Sequence, residues 1–370
     1  ISKIDSVKGE EVSLSIDARV QEYAVNLLQS YRAGSINVIN IKTGEIVCMA
    51  STPTYDPNKI IKKPNTEYWE SVLSNTLSPL TNRSIQGLYA PGSTFKMIVA
   101  IAALKHGIIN SASTHSCSGK IEFGDRLYHC WKTNGHGKMD VTNAIKESCD
   151  VFFYEISKKL GIDKIAEVAE DFGLGKVFDI SMSNQKKGIV PTKKWKKTTL
   201  GESWYAGETL ISGIGQGFVL TNPFQLAVMT SIIASNGKII EPSIVKRNDI
   251  NFKMNEKYLN EIKIIKKAMF KVVNENKGTA FKSRIDDIKF AGKTGTSQVK
   301  RISISERESD DFRKKEQEWK NRDHALFVGY IPHDDPKYAI SVIIEHGGSG
   351  ASTAAPIAKQ IFNYINKLDT

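Results

Sequence analysis

Residues 89 to 98 read Tyr-Ala-Pro-Gly-Ser-Thr-Phe-Lys-Met-Ile, a Pro-Gly turn that leads directly into an apolar helix. Ser93 and Lys96 stand three positions apart in the first turn of that helix, so their side chains share one face. The free N–H groups and the positive dipole end of a helix N-terminus help to stabilise an oxyanion. A serine cap beside a solvated lysine is nevertheless the commoner origin of a Ser-x-x-Lys tetrapeptide. Whether the pair is a nucleophile and its base depends on the rest of the chain.

The composition is that of a globular protein with one large domain or two ordinary ones. The chain has 370 residues, of which 40% are hydrophobic and 25% charged. Its formal net charge of +11 comes mostly from scattered lysines, without a helix-turn-helix, finger or RNA-recognition signature, so we predict no nucleic-acid partner. Two explanations of the charge stay open: work near an anionic surface such as lipid headgroups or cell-wall polymer, or a lysine-rich composition without function.

The chain carries no signal of membrane insertion. No run reaches the roughly 18 consecutive apolar residues that a bilayer-spanning helix requires. The sequence opens on "ISKIDSVKGEE", without an initial Met or a signal peptide. We therefore expect a membrane anchor and an upstream domain to precede it.

Hydrophobic patterning predicts strands near both ends of the chain and helices between them. A strand is expected in "EVSLSID", and Asp17 is placed to cap the helix after it. Lys42-Thr43-Gly44 joins two strand-like runs as a hairpin, and Cys48 in the second run is expected to be a small core residue. Three strands follow in "KFAGKTGTSQV", "HALFVGYIP" and "KYAISVIIEHGG". These runs predict an α/β (α+β) fold with a five-stranded, mostly antiparallel sheet covered by helices on both faces.

Helices are predicted in five further segments. They are "STFKMIVAIAALKHG", which stops at Gly107, "DVTNAIKESCDVFFYEISKKLG", broken near Ser148, "IDKIAEVAEDFGLG", "TNPFQLAVMTSIIASNG" and the C-terminal "TAAPIAKQIFNYINKL". Residues 111–140 are expected to be irregular. The charged stretch from Lys300 to Asp323 is expected to be a solvated loop or loose helix, and a flap beside the functional site.

Two more short motifs carry polar chemistry. In Ser148-Cys149-Asp150, the alternation of side chains places Ser148 and Asp150 on one side. There the Ser148 hydroxyl can relay a proton, and the Asp150 carboxylate can orient the hydrogen-bond network. The alternative is that either residue is an ordinary helix cap. Lys293-Thr294-Gly295-Thr296 combines a cation, hydroxyls and a glycine, which suits a substrate carboxylate and the close approach of its backbone. An edge-strand lysine before a bulge is the alternative.

In this order, the three motifs resemble the set used by serine β-lactamases and penicillin-binding proteins. The segments "YAPGSTFK", "GHGKMDVTNAIKESCDVFF", "ISGIGQGFVLTNPFQLA", "DHALFVGYIP" and "GASTAAPIAKQI" also resemble the transpeptidase domain of class B penicillin-binding proteins, over nearly the whole chain. Asp150 stands where most relatives have Asn. This residue and the Gly-His-Gly and Ile-Gly-Gln-Gly segments make the chain most similar to the penicillin-binding protein 2, or rod-shape, branch.

The resemblance implies one transpeptidase domain over residues 1–370, with sheet strands at about 10–55 and 285–345 and a helical subdomain at about 90–235. It implies that Ser93 attacks the bond between two terminal D-alanines and that Lys96 takes its proton. Ser148 would serve the leaving amine, while Asp150, as a carboxylate, has a less defined role than an Asn donor. Lys293, Thr294 and Thr296 would hold the terminal carboxylate of the substrate, and Gly295 would let its backbone approach. The N–H groups of Ser93 and Thr296 would form the oxyanion hole.

The resemblance also implies partners and a location. The partners are stem peptides ending in D-Ala-D-Ala, β-lactam antibiotics, a membrane glycosyltransferase of the SEDS type and other elongation-complex proteins. The location is the periplasmic face of the bacterial inner membrane. A class D-type β-lactamase and a non-catalytic β-lactam sensor are the alternatives, and repeated penicillin hydrolysis or a failure of acyl transfer would distinguish them.

A second polar cluster lies close to the middle motif. Cys117, Cys130, His136 and Cys149 form a regular Cys₃His zinc set, although their spacing is not that of tight knuckles. The resemblance to the penicillin-binding protein 2 branch implies a structural zinc ion at these four positions. His115 and His129 are the candidate substitutes if one of the four is not a ligand. A Cys117–Cys130 disulfide and plain buried thiols are the alternatives.

Overall fold

The computed structural model describes residues 6–61, 66–247, 249–300 and 318–369. In chain order its strands are β1 (Gly34–Asn40), β2 (Ile46–Thr52), β3 (Thr114–Cys117), β4 (Lys120–Phe123), β5 (Arg126–His129), β6 (Gly137–Asp140), β7 (Lys238–Ile240), β8 (Phe252–Met254), β9 (Ala291–Ser297), β10 (His324–Ile331) and β11 (Tyr338–Ile344). Its helices are α1 (Ala18–Leu28), α2 (Asn58–Ile61), α3 (Thr66–Leu73), α4 (Lys96–Lys105), α5 (Val141–Lys146), α6 (Asp150–Leu160), α7 (Ile162–Asp171), α8 (Lys193–Leu200), α9 (Ala206–Gly213), α10 (Pro223–Ala234), α11 (Leu259–Asn274) and α12 (Ala355–Asp369).

The central sheet has five strands in the order β2-β1-β11-β10-β9, and every neighbouring pair is antiparallel. Two strands come from the start of the chain and three from its end, which confirms the predicted sheet. Strand β11 joins the two groups, with Gly34 of β1 opposite Ile344. Strand β9, which carries the Lys-Thr-Gly motif, is at the edge.

Helices cover both faces of the sheet, as predicted. On one face the Ser341 hydroxyl of β11 donates to the carbonyl of Pro223 at the start of α10, over 2.6 Å. On the other face Phe327 of β10 and Phe362 of α12 both pack on Phe290, with ring centroids 6.3 Å and 5.3 Å away. The alternation of side chains along β10 and β11 separates these two contact sets.

The helix boundaries follow the local signals. Asp17 accepts from the Arg19 N–H at 2.9 Å at the start of α1, and Asn222 accepts from the Gln225 N–H at 2.8 Å at the start of α10. Gly107, with φ +65°, follows the end of α4. These caps confirm the predicted starts of α1 and α10 and the predicted stop of α4.

Two sequence predictions about local structure are wrong. Residues 11–17 form no strand of the sheet, which begins at Gly34, and only a single bridge pairs Leu14 with Val245. The Ser15 N–H donates to the Ile244 carbonyl and the Ser13 carbonyl accepts from the Lys246 N–H, but this backbone pairing does not extend beyond one bridge. The Ser15 hydroxyl adds bonds to the carbonyls of Ile46 and Ser243. Residues 111–140 are not irregular, because β3 pairs with β6 and β4 with β5 in two small sheets.

The helical part of the chain runs from α4 to α10 and contains the two small sheets. Outside it, α11 packs between α5 and β9 and was not predicted, although its buried side chains recur at helical spacing. Most of the stretch from Lys300 to Asp323, and with it the expected flap, lies outside the described residues. In the described ranges no helix is both long and apolar enough to cross a bilayer.

Candidate active site

The turn that carries Ser93 is pressed between two parts of the fold. Residues Gly92–Thr94 form a short 3₁₀ turn just before α4. The Gly92 N–H donates to the Gly215 carbonyl at 2.8 Å, and Gly92 adopts φ +52°, where a Cβ would lie 2.5 Å from the Thr296 carbonyl oxygen. Only glycine fits this position without strain. Ser93 is therefore fixed at the N-terminal end of α4, beside strand β9.

Gly295 serves the same packing from the β9 side. A Cβ there would lie 3.0 Å from Thr94 Cγ2, 3.1 Å from the Pro91 carbonyl oxygen and 3.1 Å from Leu326 Cβ. The close approach that Gly295 permits is therefore that of the chain's own Pro91–Thr94 turn. The sequence interpretation, which assigned this space to a substrate backbone, misses this contact.

Lys96 is fully buried and reaches the middle motif. Its Nζ donates to Asp150 Oδ1 at 2.6 Å, to the Ser148 carbonyl at 3.0 Å and to Ser148 Oγ at 3.3 Å. Within the described residues it makes no hydrogen bond with Ser93 Oγ. Catalytic hydrogen bonds are often completed only when substrate binds, so this geometry is compatible with proton transfer between the two.

Ser148 connects the three motifs. It lies in the break between α5 and α6 and adopts φ +57°, a left-handed conformation that costs a non-glycine residue about 1–2 kcal/mol. Its hydroxyl accepts from Lys293 Nζ at 3.0 Å as well as from Lys96. A strained residue held by two buried lysines is typical of a functional site.

Lys293 is buried on β9 and also donates to the Thr294 carbonyl at 2.9 Å. Burial lowers the pKa of Lys293 well below its ordinary value, and the nearby charge of Lys96 lowers it further, against an opposing effect of Asp150. A lysine in this environment gives up its proton more readily than a surface lysine.

The other two hydroxyls of this motif differ in exposure. Thr294 is buried, and its hydroxyl lies 2.7 Å from that of Thr279. Thr296 is exposed, and its carbonyl accepts from Gln216 Nε2 at 3.2 Å. Gln216 belongs to the loop after α9, so this bond crosses from the helical part of the chain to the sheet.

Sequence reasoning missed two features of the site. One is Trp131, which contacts the Ser148–Asp150 segment and is considered below. The other is Glu345, whose Oε1 accepts from Arg83 Nε at 2.8 Å and from the Tyr89 hydroxyl at 2.6 Å. This partly buried contact holds the segment before the Ser93 turn against the end of β11. No local pattern marks it, because its members lie about 260 positions apart.

The four predicted metal ligands converge behind the catalytic loop. The ligand atoms of Cys117, Cys130, His136 and Cys149 all lie within 4.8 Å of one another. His136 Nδ1 is 3.7 Å from Cys117 Sγ and 3.5 Å from Cys130 Sγ. Bond lengths of about 2.3 Å for Zn–S and about 2.0 Å for Zn–N give a tetrahedron with edges of about 3.5–3.8 Å, so the donor set fits zinc.

The thiols of the cluster are unpaired. None of the four cysteines of the chain forms a disulfide, and Cys48 is a buried core residue away from the cluster, as predicted. A hydrogen bond with Cys149 lowers the pKa of Cys130, and the same contact together with burial raises that of Cys149. His115 packs edge-on against Phe152, and neither His115 nor His129 joins the cluster.

The three motifs thus meet in one place. Ser93 lies at a helix N-terminus, two buried lysines share the hydroxyl of Ser148, and an edge strand with an exposed threonine lies alongside. This fold and site define the class of serine acyl-transfer domains.

The chain belongs to the penicillin-binding protein family: residues 34–363 match the model of the penicillin-binding protein transpeptidase domain. This match confirms the family that the motifs predict.

Similar proteins place it near one branch of that family. Peptidoglycan D,D-transpeptidase MrdA of Haemophilus influenzae is 33% identical over 97% of this chain and 56% of its own length. Pseudomonas aeruginosa PBP2, solved in complex with WCK 5153, is 34% identical with a TM-score of 0.85, over 97% of this chain and 79% of that one. PBP2 of Helicobacter pylori, in its complex with MreC, is 31% identical with a TM-score of 0.88, over 96% of this chain and 64% of that one. The chain thus spans little more than half the length of the curated relative.

Proposed function

We propose that this chain is the catalytic domain of a peptidoglycan D,D-transpeptidase that cross-links stem peptides during cell elongation and is acylated by β-lactams. The observation that carries the proposal is the convergence of Lys96 and Lys293 on Ser148 Oγ, at 3.3 Å and 3.0 Å, beside the turn of Ser93. The name and activity of the MrdA relatives support it.

Acylation begins at Ser93. Its Oγ attacks the carbonyl carbon between the last two D-alanines while Lys96, as a neutral amine, takes the hydroxyl proton. The N–H groups of Ser93 and Thr296 stabilise the oxyanion. The C–N bond then breaks, and the terminal D-alanine leaves with a proton delivered through the Ser148 hydroxyl. The result is an ester between Ser93 and the stem peptide.

The second half-reaction reverses these roles. An amine of a neighbouring stem peptide attacks the Ser93 ester, its proton passes to Ser148 and the lysines, and Ser93 regains its proton as the amide cross-link forms. A β-lactam follows the first half only, because its cleaved amide stays attached and blocks the incoming amine.

Substrate recognition is assigned to strand β9. The cation of Lys293 and the exposed hydroxyl of Thr296 attract the terminal carboxylate of the donor peptide. Thr294 is buried against Thr279, so we assign it to holding the strand in place. As an edge strand, β9 can also pair with an extended peptide.

We also propose that the Cys₃His cluster binds one structural zinc ion through the thiolates of Cys117, Cys130 and Cys149 and through His136 Nδ1. The distances among these atoms support it. When bound, zinc supplies a rigid link between β3, the segment after β5 and the start of α6. Cys149 then fixes the catalytic loop from behind, because Ser148 and Asp150 flank it on the other side.

The partners and location are part of the proposal. By resemblance, the whole protein works at the periplasmic face of the inner membrane with a SEDS-type glycosyltransferase. The H. pylori relative was solved with MreC, which supports an elongation-complex partner for this chain as well.

A D-Ala-D-Ala analogue in which a thioester replaces the terminal peptide bond, offered with a D-amino acid as the amine, tests the proposal. We expect release of the leaving group and a new amide product in wild type, and neither in Ser93→Ala. Rapid repeated hydrolysis of penicillin would favour a class D-type β-lactamase instead. Acylation without any transfer to the amine would favour a sensor domain.

A further inference from the structure

Trp131 lies next to the catalytic loop and takes no part in the steps above. Its side chain is 61% exposed, yet the indole N–H is directed inward. Nε1 donates to the carbonyls of Glu147 and Ser148, both at 3.1 Å. Glu147 follows the last residue of α5, where helix carbonyls lack partners within the helix. The indole therefore satisfies the end of α5.

The backbone of Trp131 contacts the start of the next helix. Its N–H donates to Asp150 Oδ2 at 2.9 Å, while Lys96 holds the other oxygen, Oδ1, at 2.6 Å. In return, the Asp150 N–H donates to Cys130 Sγ at 3.3 Å. One residue thus binds the end of α5 and the start of α6, on both sides of Ser148.

Ser148 needs such support because of its backbone. Its φ of +57° is disfavoured for serine, and its carbonyl is shared between Trp131 Nε1 at 3.1 Å and Lys96 Nζ at 3.0 Å. Without the indole N–H, Lys96 would be the only donor to the Ser148 carbonyl among the residues that the structure describes. The loop would then relax away from the left-handed conformation, and the hydroxyl would move relative to both lysines.

We propose that Trp131 is a positioning residue for acyl transfer: its indole N–H fixes the strained Ser148 backbone and thereby the hydroxyl that serves Lys96 and Lys293. The inference rests on the proposed function of Ser148. It concerns the rate of the chemical step and not the binding of the antibiotic or substrate.

The test compares Trp131→Phe with Trp204→Phe. Each variant loses one indole N–H donor: that of Trp131 is shared between two carbonyls, and that of Trp204 donates to the Thr209 hydroxyl at 2.8 Å. Trp131→Phe keeps an aromatic ring and the backbone N–H. Stopped-flow acylation by penicillin separates the saturating rate from the dissociation constant. We expect Trp131→Phe to lower the saturating rate roughly fivefold to tenfold with an unchanged dissociation constant and zinc content, whereas both variants should lower the melting temperature slightly. Trp204→Phe should leave the rate unchanged.

Three results would overturn the inference: an unchanged rate in Trp131→Phe, an equal loss in both variants, or a change in the dissociation constant alone. If Trp131→Phe does not fold, hydrogen exchange of the wild-type indoles decides, with Trp131 assigned by substituting the other four tryptophans. A protected Trp131 N–H on an exposed ring supports the inference, and free exchange overturns it. If penicillin does not acylate Ser93 of the wild-type protein, that result contradicts the proposed function instead.

Discussion

Lys293 Nζ donates to Ser148 Oγ over 3.0 Å, although 145 positions of sequence separate the two residues. Lys293 comes from the edge strand of the sheet, and Ser148 from the break between two helices of the helical part. The bond therefore closes the site between the two halves of the fold. It also places a second amine on the hydroxyl that Lys96 contacts, and the predictions below depend on this arrangement.

Replacing Lys293 by methionine should stabilise the protein while abolishing acylation. The buried cation is desolvated and repelled by Lys96, so an apolar side chain of similar length should raise the free energy of unfolding by about 1–2 kcal/mol. Urea unfolding at pH 7 measures this change. The surface variant Lys289→Met is the control and should change it little. A destabilised Lys293→Met protein would show that the amine is held favourably.

The stability gain of Lys293→Met should shrink as the pH rises. The pKa of Lys293 is lower in the folded chain than its ordinary value of 10.5, so between the two values the unfolded chain binds a proton that the folded chain does not. Folding then releases that proton, so wild-type stability rises with pH across this window. Unfolding of both proteins at pH 7 and pH 9.5 tests this sign, and a gain that grows with pH would contradict it.

Ser148→Gly and Ser148→Ala should lose activity equally but differ in stability. Both remove the hydroxyl, so both should slow acylation at least roughly hundredfold. Only glycine accepts φ +57° without strain, and Ser148→Gly should be more stable than Ser148→Ala by about 1 kcal/mol. Penicillin acylation and thermal unfolding of the two variants supply the comparison. Equal stabilities would show that the loop relaxes once the hydroxyl is gone.

Gly295→Ala should damage the fold and the site together. The added methyl would lie 3.0 Å from Thr94 and 3.1 Å from the Pro91 carbonyl oxygen, so the Ser93 turn must move. We expect a loss of about 1–3 kcal/mol in unfolding free energy and slower acylation. Gly9→Ala, where no atom lies within 4 Å, is the matched control. Wild-type acylation by Gly295→Ala would mean that the position of the turn does not matter.

Metal analysis should find one zinc ion per chain, lost on Cys117→Ser and retained on Cys48→Ser. Both substitutions remove a buried thiol, but only Cys117 lies in the cluster. Removing the zinc with a chelator should lower the melting temperature of wild type more than that of Cys117→Ser. A protein without zinc and with two fewer free thiols than expected would favour the Cys117–Cys130 disulfide.

Sequence reasoning predicted the parts of the fold that local patterns encode. The hairpin at Lys42-Thr43-Gly44, the cap at Asp17 and the break near Ser148 each depend on a few adjacent residues, and each is found in the structure. The signal for α11 was present as a helical repeat but was overlooked. The failed strand at residues 11–17 shows the limit of patterns, because strand-like residues there found only a one-bridge partner near Val245 and no neighbouring strand of the sheet.

The candidate site also combines residues that local motifs predicted with residues that only the folded chain brings together. Its motifs were predicted because the residue types are unusual in that order. Trp131 was not, because its indole bonds backbone carbonyls 16 and 17 positions away, and no residue type marks such partners. The contact of Gly295 with the Ser93 turn was also missed, since only the folded chain brings Pro91 to β9.

Intact-mass analysis after incubation with penicillin tests the central claim most directly. Wild type should gain the mass of one intact antibiotic molecule, mapped to the peptide that contains Ser93, and should keep it for many minutes. Ser93→Ala should remain unmodified while unfolding like wild type. An adduct on Ser93→Ala, or wild type that stays unmodified, would contradict the assignment of Ser93 as the nucleophile.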